Sequence, residues 1–114
     1  MPATLTLTAV EHLPKVTAGD DLVALIVSAT ARQALAPEPG DILVIAQKIV
    51  SKAEDRLVDL ASVSPGVAAT DLAAETGKDA RLVELILSES RAIVRSRPGL
   101  IIAEHCCGHV LANA

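Results

Sequence analysis

The chain has 114 residues, a formal net charge of −4 and a hydrophobic fraction of 51%, values typical of one ordered globular domain. It contains no Phe, Tyr or Trp, and its Lys and Arg residues are spread along the sequence, which argues against nucleic-acid binding. No apolar run approaches the ~18 residues that a membrane span needs. The N-terminus lacks the basic and apolar regions of a signal peptide, so we expect a cytoplasmic protein without a membrane partner.

The first part of the chain predicts two strands and one helix between them. Alternating Thr and Leu residues predict a strand over 4–10 with one buried face. A three-and-four spacing of apolar residues predicts a helix over 21–35, with Asp20 or Asp21 as its N-cap. Prolines and a glycine then interrupt the pattern. The continuous apolar run at 41–47 predicts a strand that is covered on both faces.

The second part predicts two helices followed by a hairpin. A strand or extended stretch is predicted over 56–63, and helices over 64–79 and 79–90. The residues that delimit these helices are Ser64 and Pro65 at the first start, Gly77 at its end, and Asp79 at the second start. The stretches RAIVRS and GLIIAEH around RPG predict a hairpin, with HVLANA as a third strand. Without regular βαβ alternation, this order predicts an α+β domain with a mixed sheet and packed helices over residues 1–114.

The HCCGH motif at 105–109 raises the question of a metal site. Zinc-binding cysteines are usually two to four residues apart, whereas Cys106 and Cys107 are adjacent and would point to opposite faces of a strand. A bend at this point would bring His105, Cys107 and His109 together, which gives three ligands at most. The favoured interpretation is two small buried residues on a strand, and the sequence predicts no metal site here.

The segment KIVSKAEDR at 48–56 is the most polar one that adjoins a predicted core strand. If it is extended, Lys48 and Lys52 share a face roughly 13 Å apart, where a polyphosphate could bind. If it is helical, Lys48, Lys52 and Arg56 form a stripe at four-residue spacing. A solvated basic edge, offset by the neighbouring acidic residues, is the alternative. The sequence has no Walker-type phosphate loop, and spacing supports no Ser–His–Asp arrangement.

Several stretches together resemble one family, the coenzyme F420-0:L-glutamate ligases. In chain order they are LPKVTAGDDLVALI, GDILVIAQKIVSKAEDRLVDL, GKDARLVELILSESRAIVR and LIIAEHCCGHVLANA. The resemblance covers the chain from Leu5 to Ala114, and KIVSKAE with the earlier Gly-Asp is its most specific part. It implies the N-terminal half of the fold of these ligases.

The resemblance also implies a reaction. GTP would phosphorylate the lactyl carboxylate of the deazaflavin precursor F420-0, and the amine of L-glutamate would displace the phosphate from this acyl phosphate. Two divalent cations, Mg or Mn, would hold the nucleotide. Such a transfer depends on positioning and charge neutralisation. The resemblance assigns no catalytic residue within this chain.

The residues that the resemblance implies for GTP binding are Leu13, Pro14, Lys15, Val16, Gln47 and Lys52. Lys52 matches a GTP-contacting lysine of the family. Lys15 stands where an acidic residue is common, so backbone contacts are expected there, and Gln47 stands where a small hydroxyl residue is frequent. Asp55 replaces a usual glycine. Where this chain has HCCG the family often has HRLG.

The resemblance further implies metal-binding carboxylates beyond Ala114, beginning with a Gly-x-Asp segment, and none within the chain. The chain is therefore predicted to be the N-terminal portion of a ligase domain, inactive by itself and forming a homodimer. The alternative is a non-catalytic nucleotide- or anion-binding or assembly module with the same half-fold. A third possibility is a truncated fragment whose severed strand edges pair between copies. A homodimer is expected on either of the first two interpretations.

Overall fold

A computed structural model describes all residues, 1–114, and divides them into two compact units, Met1–Leu57 and Val58–Ala114. Four α-helices, a short 3-10 helix and a three-stranded antiparallel sheet make up the secondary structure. The predicted α+β class is therefore confirmed, although both strand pairs are antiparallel and the sheet is not mixed as predicted. None of the helices is long and apolar enough to cross a membrane.

The first unit contains helices α1, Leu22–Arg32, and α2, Gln47–Ala53. The side chain of Asp21 caps α1 by accepting a hydrogen bond from the backbone N–H of Ala24 at 3.0 Å. This confirms the predicted start of the helix. Its end comes slightly earlier than expected, because Ala34 adopts a left-handed backbone with φ 54°.

The strands predicted over 4–10 and 41–47 are wrong. Neither segment forms a strand, and Leu7 and Val44 are 86% and 87% exposed. A strand is held by a ladder of backbone hydrogen bonds to a neighbouring strand. The backbone hydrogen bonds of these segments are local instead, from the N–H of Asp41 to the carbonyl of Glu38 and from the N–H of Ile49 to the carbonyl of Ala46. The apolar pattern shows which face a strand would bury. It does not show that a partner is present.

The segment at 48–56 takes the helical alternative. Helix α2 includes both Lys48 and Lys52, one turn apart, but ends at Ala53 and so excludes Arg56 from the predicted stripe. The helix is short because its last turn closes in a C-terminal capping motif at Asp55.

In the second unit, the stretch predicted as extended over 56–63 contains a 3-10 helix, Leu60–Ser62, so a strand there is wrong. Asp59 favours this turn because its side chain accepts a hydrogen bond from the N–H of Ala61 at 2.9 Å. Helix α3 spans Val67–Thr76 and ends at Gly77 as predicted. Its N-cap is Gly66, however, and the predicted cap at Ser64 with Pro65 in the first turn is wrong.

Helix α4, Ala80–Glu89, begins at the predicted cap, Asp79, whose carboxylate accepts a hydrogen bond from the N–H of Arg81 at 2.9 Å. It leads directly into the sheet. Strands β1, Ser90–Arg97, β2, Leu100–His105, and β3, Val110–Leu111, pair antiparallel in the order β1-β2-β3. The predicted hairpin and third strand are confirmed.

The core of the second unit lies where β2 packs against α3 and α4. Its fully buried residues are Ala69, Val83, Ile101 and Ala103. The latter two come from alternate positions of β2, so one face of the sheet is buried. The turn after β2 contains Cys106 and Cys107, and both are exposed. HCCGH thus forms a bend between two strands, and the interpretation of its cysteines as buried strand residues is wrong.

Candidate functional site

A cavity of about 240 Å³ in the first unit brings the loop after residue 14 to the C-terminal end of α2. The residues that line it are Lys15, Val16, Thr17, Ala18, Lys52, Asp55 and Leu57. Val16 is buried, at 7% exposure, and anchors the loop, while Lys52 is half-buried. Two lysines from distant parts of the sequence therefore face the same space.

The loop owes its shape to a tight turn from Thr17 to Asp20. The N–H of Asp20 donates to the carbonyl of Thr17 at 3.2 Å, and the Asp20 carboxylate accepts from the N–H of Thr17 at 2.7 Å. Gly19 has φ 85°, a backbone conformation that glycine adopts without strain. Its N–H donates to the carbonyl of Ala53 at 2.9 Å. That hydrogen bond joins the loop to the end of α2 and so positions Lys15 relative to Lys52.

The end of α2 is fixed by two backbone hydrogen bonds. The N–H of Asp55 donates to the carbonyl of Lys52 at 3.1 Å, and the N–H of Arg56 donates to the carbonyl of Ser51 at 2.8 Å. This is the Schellman pattern, whose left-handed position is usually glycine. Asp55 occupies that position with φ 53°. The resemblance implies glycine at this position, and here aspartate adopts the left-handed conformation.

The charges around the cavity suit an anion. Lys15 and Lys52 supply two ammonium groups, and Asp55 supplies the one carboxylate among the lining residues. Ammonium groups bind phosphate as point charges with three donors each. Pockets that enclose a whole small molecule usually measure about 300–1,000 Å³, so this cavity fits a phosphate group or two rather than an entire nucleotide.

A larger cleft of about 660 Å³ lies in the same unit. It is lined mainly by apolar residues, including Leu13, Ile26 and Ile49, and by the extended segments 6–10 and 42–46. Leu13 lines this cleft, whereas Lys15 and Val16 line the smaller cavity. The loop therefore contributes residues to both spaces.

The structure brings three of the predicted GTP-binding residues together, namely Lys15, Val16 and Lys52. Leu13 lies in the larger cleft, and Pro14 and Gln47 line neither space. Gln47 is the exposed first residue of α2.

Sequence reasoning missed the other residues of the small cavity, Thr17, Ala18, Asp55 and Leu57. The motif TAGD carries a signal for the first two, because Thr and Asp three residues apart around Gly favour a turn. The positions of Asp55 and Leu57 follow from the end of α2, which spacing alone did not indicate.

Comparison with protein families identifies the group to which this chain is related. The model of the family described as F420-0:Gamma-glutamyl ligase matches residues 11–114. The chain belongs to this family. The resemblance found from the sequence motifs is thereby confirmed.

Named relatives within the family are coenzyme F420:L-glutamate ligases. The protein of Methanothermobacter thermautotrophicus is 46% identical over 110 residues, which cover 96% of this chain and 44% of the relative. The protein of Methanopyrus kandleri is 47% identical over 100 residues, or 88% of this chain and 38% of the relative. The protein of Halobacterium salinarum strain R1 is 38% identical over 112 residues, or 93% of this chain and 42% of the relative. The chain thus spans about two fifths of the length of these relatives.

Proposed function

We propose that this chain forms the nucleotide-binding portion of a GTP-dependent ligase that joins L-glutamate to F420-0. Family membership supports the reaction class, and the names of the relatives support the coenzyme and the amino acid. The single observation that carries the nucleotide assignment is the convergence of Lys15 and Lys52 on one cavity. We further propose that the protein forms a homodimer.

In the proposed reaction, a carboxylate oxygen of F420-0 attacks the terminal phosphorus of GTP, the bond to the β-phosphate oxygen breaks, and GDP leaves. The glutamate amine then attacks the carbonyl carbon of the acyl phosphate, and phosphate leaves with the electrons of the C–O bond. Lys52 and Lys15, which line the same cavity, would hold phosphate oxygens and offset their charge during the transfer. Both roles are binding and positioning roles.

A divalent cation, Mg or Mn, would neutralise further charge on the nucleotide when bound. Magnesium in such sites usually takes one or two carboxylates together with substrate phosphates and water. Asp55 alone meets the lower limit of that requirement, and its neighbours in the cavity are lysines, which repel a cation. We therefore place the principal cation ligands of the proposed enzyme outside residues 1–114.

Calorimetric titration with GTP in the presence of magnesium tests the role of Lys52. We expect Lys52→Ala to weaken binding by about 10-fold or more, because a charge-assisted phosphate contact contributes roughly 1.5–3 kcal/mol. Lys48→Ala is the matched control, since Lys48 lies one turn earlier on α2, is exposed and does not line the cavity. Equal losses in the two variants, or no binding by the parent chain, would contradict the assignment.

We expect no glutamate addition by the 114-residue chain, because the main cation ligands are proposed to lie elsewhere. Incubation with GTP, F420-0, L-glutamate and manganese, followed by mass spectrometry, would detect a product heavier by one glutamyl residue. Product formation would show that this chain alone is the enzyme. The alternative, a non-catalytic nucleotide-binding module, predicts that GTP binds but that co-expression with the unmatched portion of the Methanothermobacter relative restores no activity.

A further inference from the structure

The turn between β2 and β3 brings three soft metal ligands together in the second unit. A ring nitrogen of His105 and the sulfur atoms of Cys106 and Cys107 all lie within 4.8 Å of one another. The objection that adjacent cysteines diverge holds for a strand, but both residues lie in a turn, after β2 has ended at His105. We propose that His105, Cys106 and Cys107 bind a thiophilic cation of the Zn²⁺ type.

The backbone holds this turn firmly on both sides. The N–H of His105 donates to the carbonyl of His109 at 2.7 Å, and the N–H of Gly108 donates to the carbonyl of His105 at 2.8 Å. The N–H of Cys106 donates to the carbonyl of Glu89, the last residue of α4, at 2.9 Å. The backbone around the three ligands is thus held in place without a bound ion.

The contacts of His105 favour the tautomer that a metal ligand needs. Its Nδ1 accepts a hydrogen bond from the N–H of Cys107 at 3.0 Å and lies 3.8 Å from the sulfur of Cys106. Its Nε2 lies 3.4 Å from a carboxylate oxygen of Glu89. The proton therefore belongs on Nε2, facing the carboxylate, and the lone pair of Nδ1 faces the cysteines. Metal-binding histidines commonly direct their second ring N–H to a carboxylate in this way.

Coordination would need a modest contraction of the ligand set. Sulfur atoms bound to one tetrahedral zinc lie about 3.8 Å apart, given Zn–S bonds of about 2.3 Å. The ligand atoms must therefore approach by up to roughly 1 Å, and Nδ1 must exchange its hydrogen bond for the metal. Both cysteine side chains are exposed and free to rotate. The ring of His109 lies 5.8 Å from that of His105 between centroids, and a fourth ligand would come from this imidazole or from water.

The chemistry of the ligands selects the ion. Two thiolates and one imidazole prefer Zn²⁺ and similar thiophilic ions over Mg²⁺ or Mn²⁺, which prefer oxygen ligands. The site contains no residue of the cavity proposed for GTP. Its test is consequently independent of the proposed ligase function.

Cobalt is a suitable spectroscopic probe, because it takes the place of zinc and is coloured. Titration of the fully reduced chain with Co²⁺ should give one ion per chain, a thiolate-to-cobalt charge-transfer band and the intense visible bands of tetrahedral cobalt. Zn²⁺ should abolish these bands by displacement and should protect both cysteines from a thiol-labelling reagent.

Variants locate the site. Cys106→Ser and Cys107→Ser should each remove the tetrahedral spectrum, and Glu89→Gln should weaken affinity by about 10- to 100-fold while the spectrum is retained. His12→Gln is the control, because His12 is an exposed histidine in the first unit. This substitution should leave the cobalt spectrum and the affinity unchanged. Circular dichroism checks that each variant is folded.

Several outcomes would overturn the proposal. They are octahedral cobalt without a charge-transfer band, unchanged labelling of both cysteines in excess zinc, and a spectrum that survives either cysteine substitution. A ratio of one ion to two chains would likewise exclude a site within a single chain, since it would mean that the ion links two copies.

Discussion

Asp55 combines a backbone effect and a charge effect at the edge of the candidate phosphate site. Its left-handed backbone closes helix α2, and its carboxylate lines the same cavity as Lys15 and Lys52. A left-handed conformation costs an ordinary residue roughly 1–2 kcal/mol, although aspartate tolerates it better than most residues. The carboxylate lowers the net positive charge that a phosphate would meet.

Substitution of Asp55 separates the two effects. Asp55→Asn removes the charge and keeps a side chain that tolerates the left-handed backbone, so GTP affinity should rise by about 2- to 5-fold, as expected for an exposed charge. Asp55→Gly should raise affinity similarly. It should change the free energy of unfolding by less than about 1 kcal/mol, because the relief of strain is offset by the greater freedom of glycine in the unfolded chain. Calorimetry and urea denaturation measure the two quantities. A fall in affinity in both variants would mean that Asp55 contacts the ligand or its cation directly.

The residues of the site could be predicted from the sequence only where a motif marks them. Lys52 and Lys15 were found through KIVSK and LPKV, which resemble family segments. Their convergence was not predictable from spacing, since it depends on the hydrogen bond between Gly19 and Ala53. A motif does not guarantee a place in the site. Pro14 lies within LPKV and Gln47 directly precedes KIVSK, yet neither residue lines a cavity. Their role in GTP binding stays a prediction.

At the scale of the elements, helices were predicted better than strands because their hydrogen bonds are local. Asp21 and Asp79 each mark a helix start that the structure confirms. The strands of the hairpin were also predictable, because a short turn supplies the partner strand. The apolar run at 41–47 has no such neighbour in sequence, and no strand forms there. The pairing of a strand with a distant segment is information that its own pattern does not contain.

The start of helix α4 gives a pH-dependent prediction. Hydrogen bonds from the Arg81 guanidinium and backbone N–H lower the pKa of Asp79 from 3.8 to about 2. Because the folded chain has the lower pKa, the charged cap stabilises the fold above about pH 4, and this contribution is lost as the pH falls towards 2. Asp79→Asn should therefore lower the Tm near neutral pH, and the difference from the parent chain should shrink as the pH approaches 2.

Arg81→Gln is the control for this experiment, because it removes the guanidinium and leaves the capping carboxylate in place. It should reduce the acid dependence of the Tm while preserving helix α4. Thermal unfolding followed by circular dichroism between neutral pH and pH 2 measures both variants. If the Tm difference between parent and Asp79→Asn stayed constant over this range, the ionised form of Asp79 would not be the source of the stabilisation.

At the scale of the whole molecule, the family was predictable from motif order and the α+β class from the mixture of patterns. One domain that continues past Ala114 stays a prediction, and so does the homodimer. The exposed apolar segments of the first unit are relevant to the homodimer. They contain Leu5, Leu7, Ile42 and Val44, each more than four-fifths exposed. Their backbone is available for pairing, which makes them templates for association between copies.

We expect the 114-residue chain to associate with itself through these segments. Val44→Lys should shift the equilibrium towards monomer, because a charge placed on an extended apolar edge opposes pairing with a second chain. Val23→Lys is the matched control, since Val23 is also highly exposed, at 72%, but lies on helix α1, whose backbone hydrogen bonds are satisfied internally. Sedimentation equilibrium over a range of concentrations gives the association constant of each protein. A monomeric parent chain would contradict the homodimer, and equal effects of the two substitutions would place the interface outside the exposed segments.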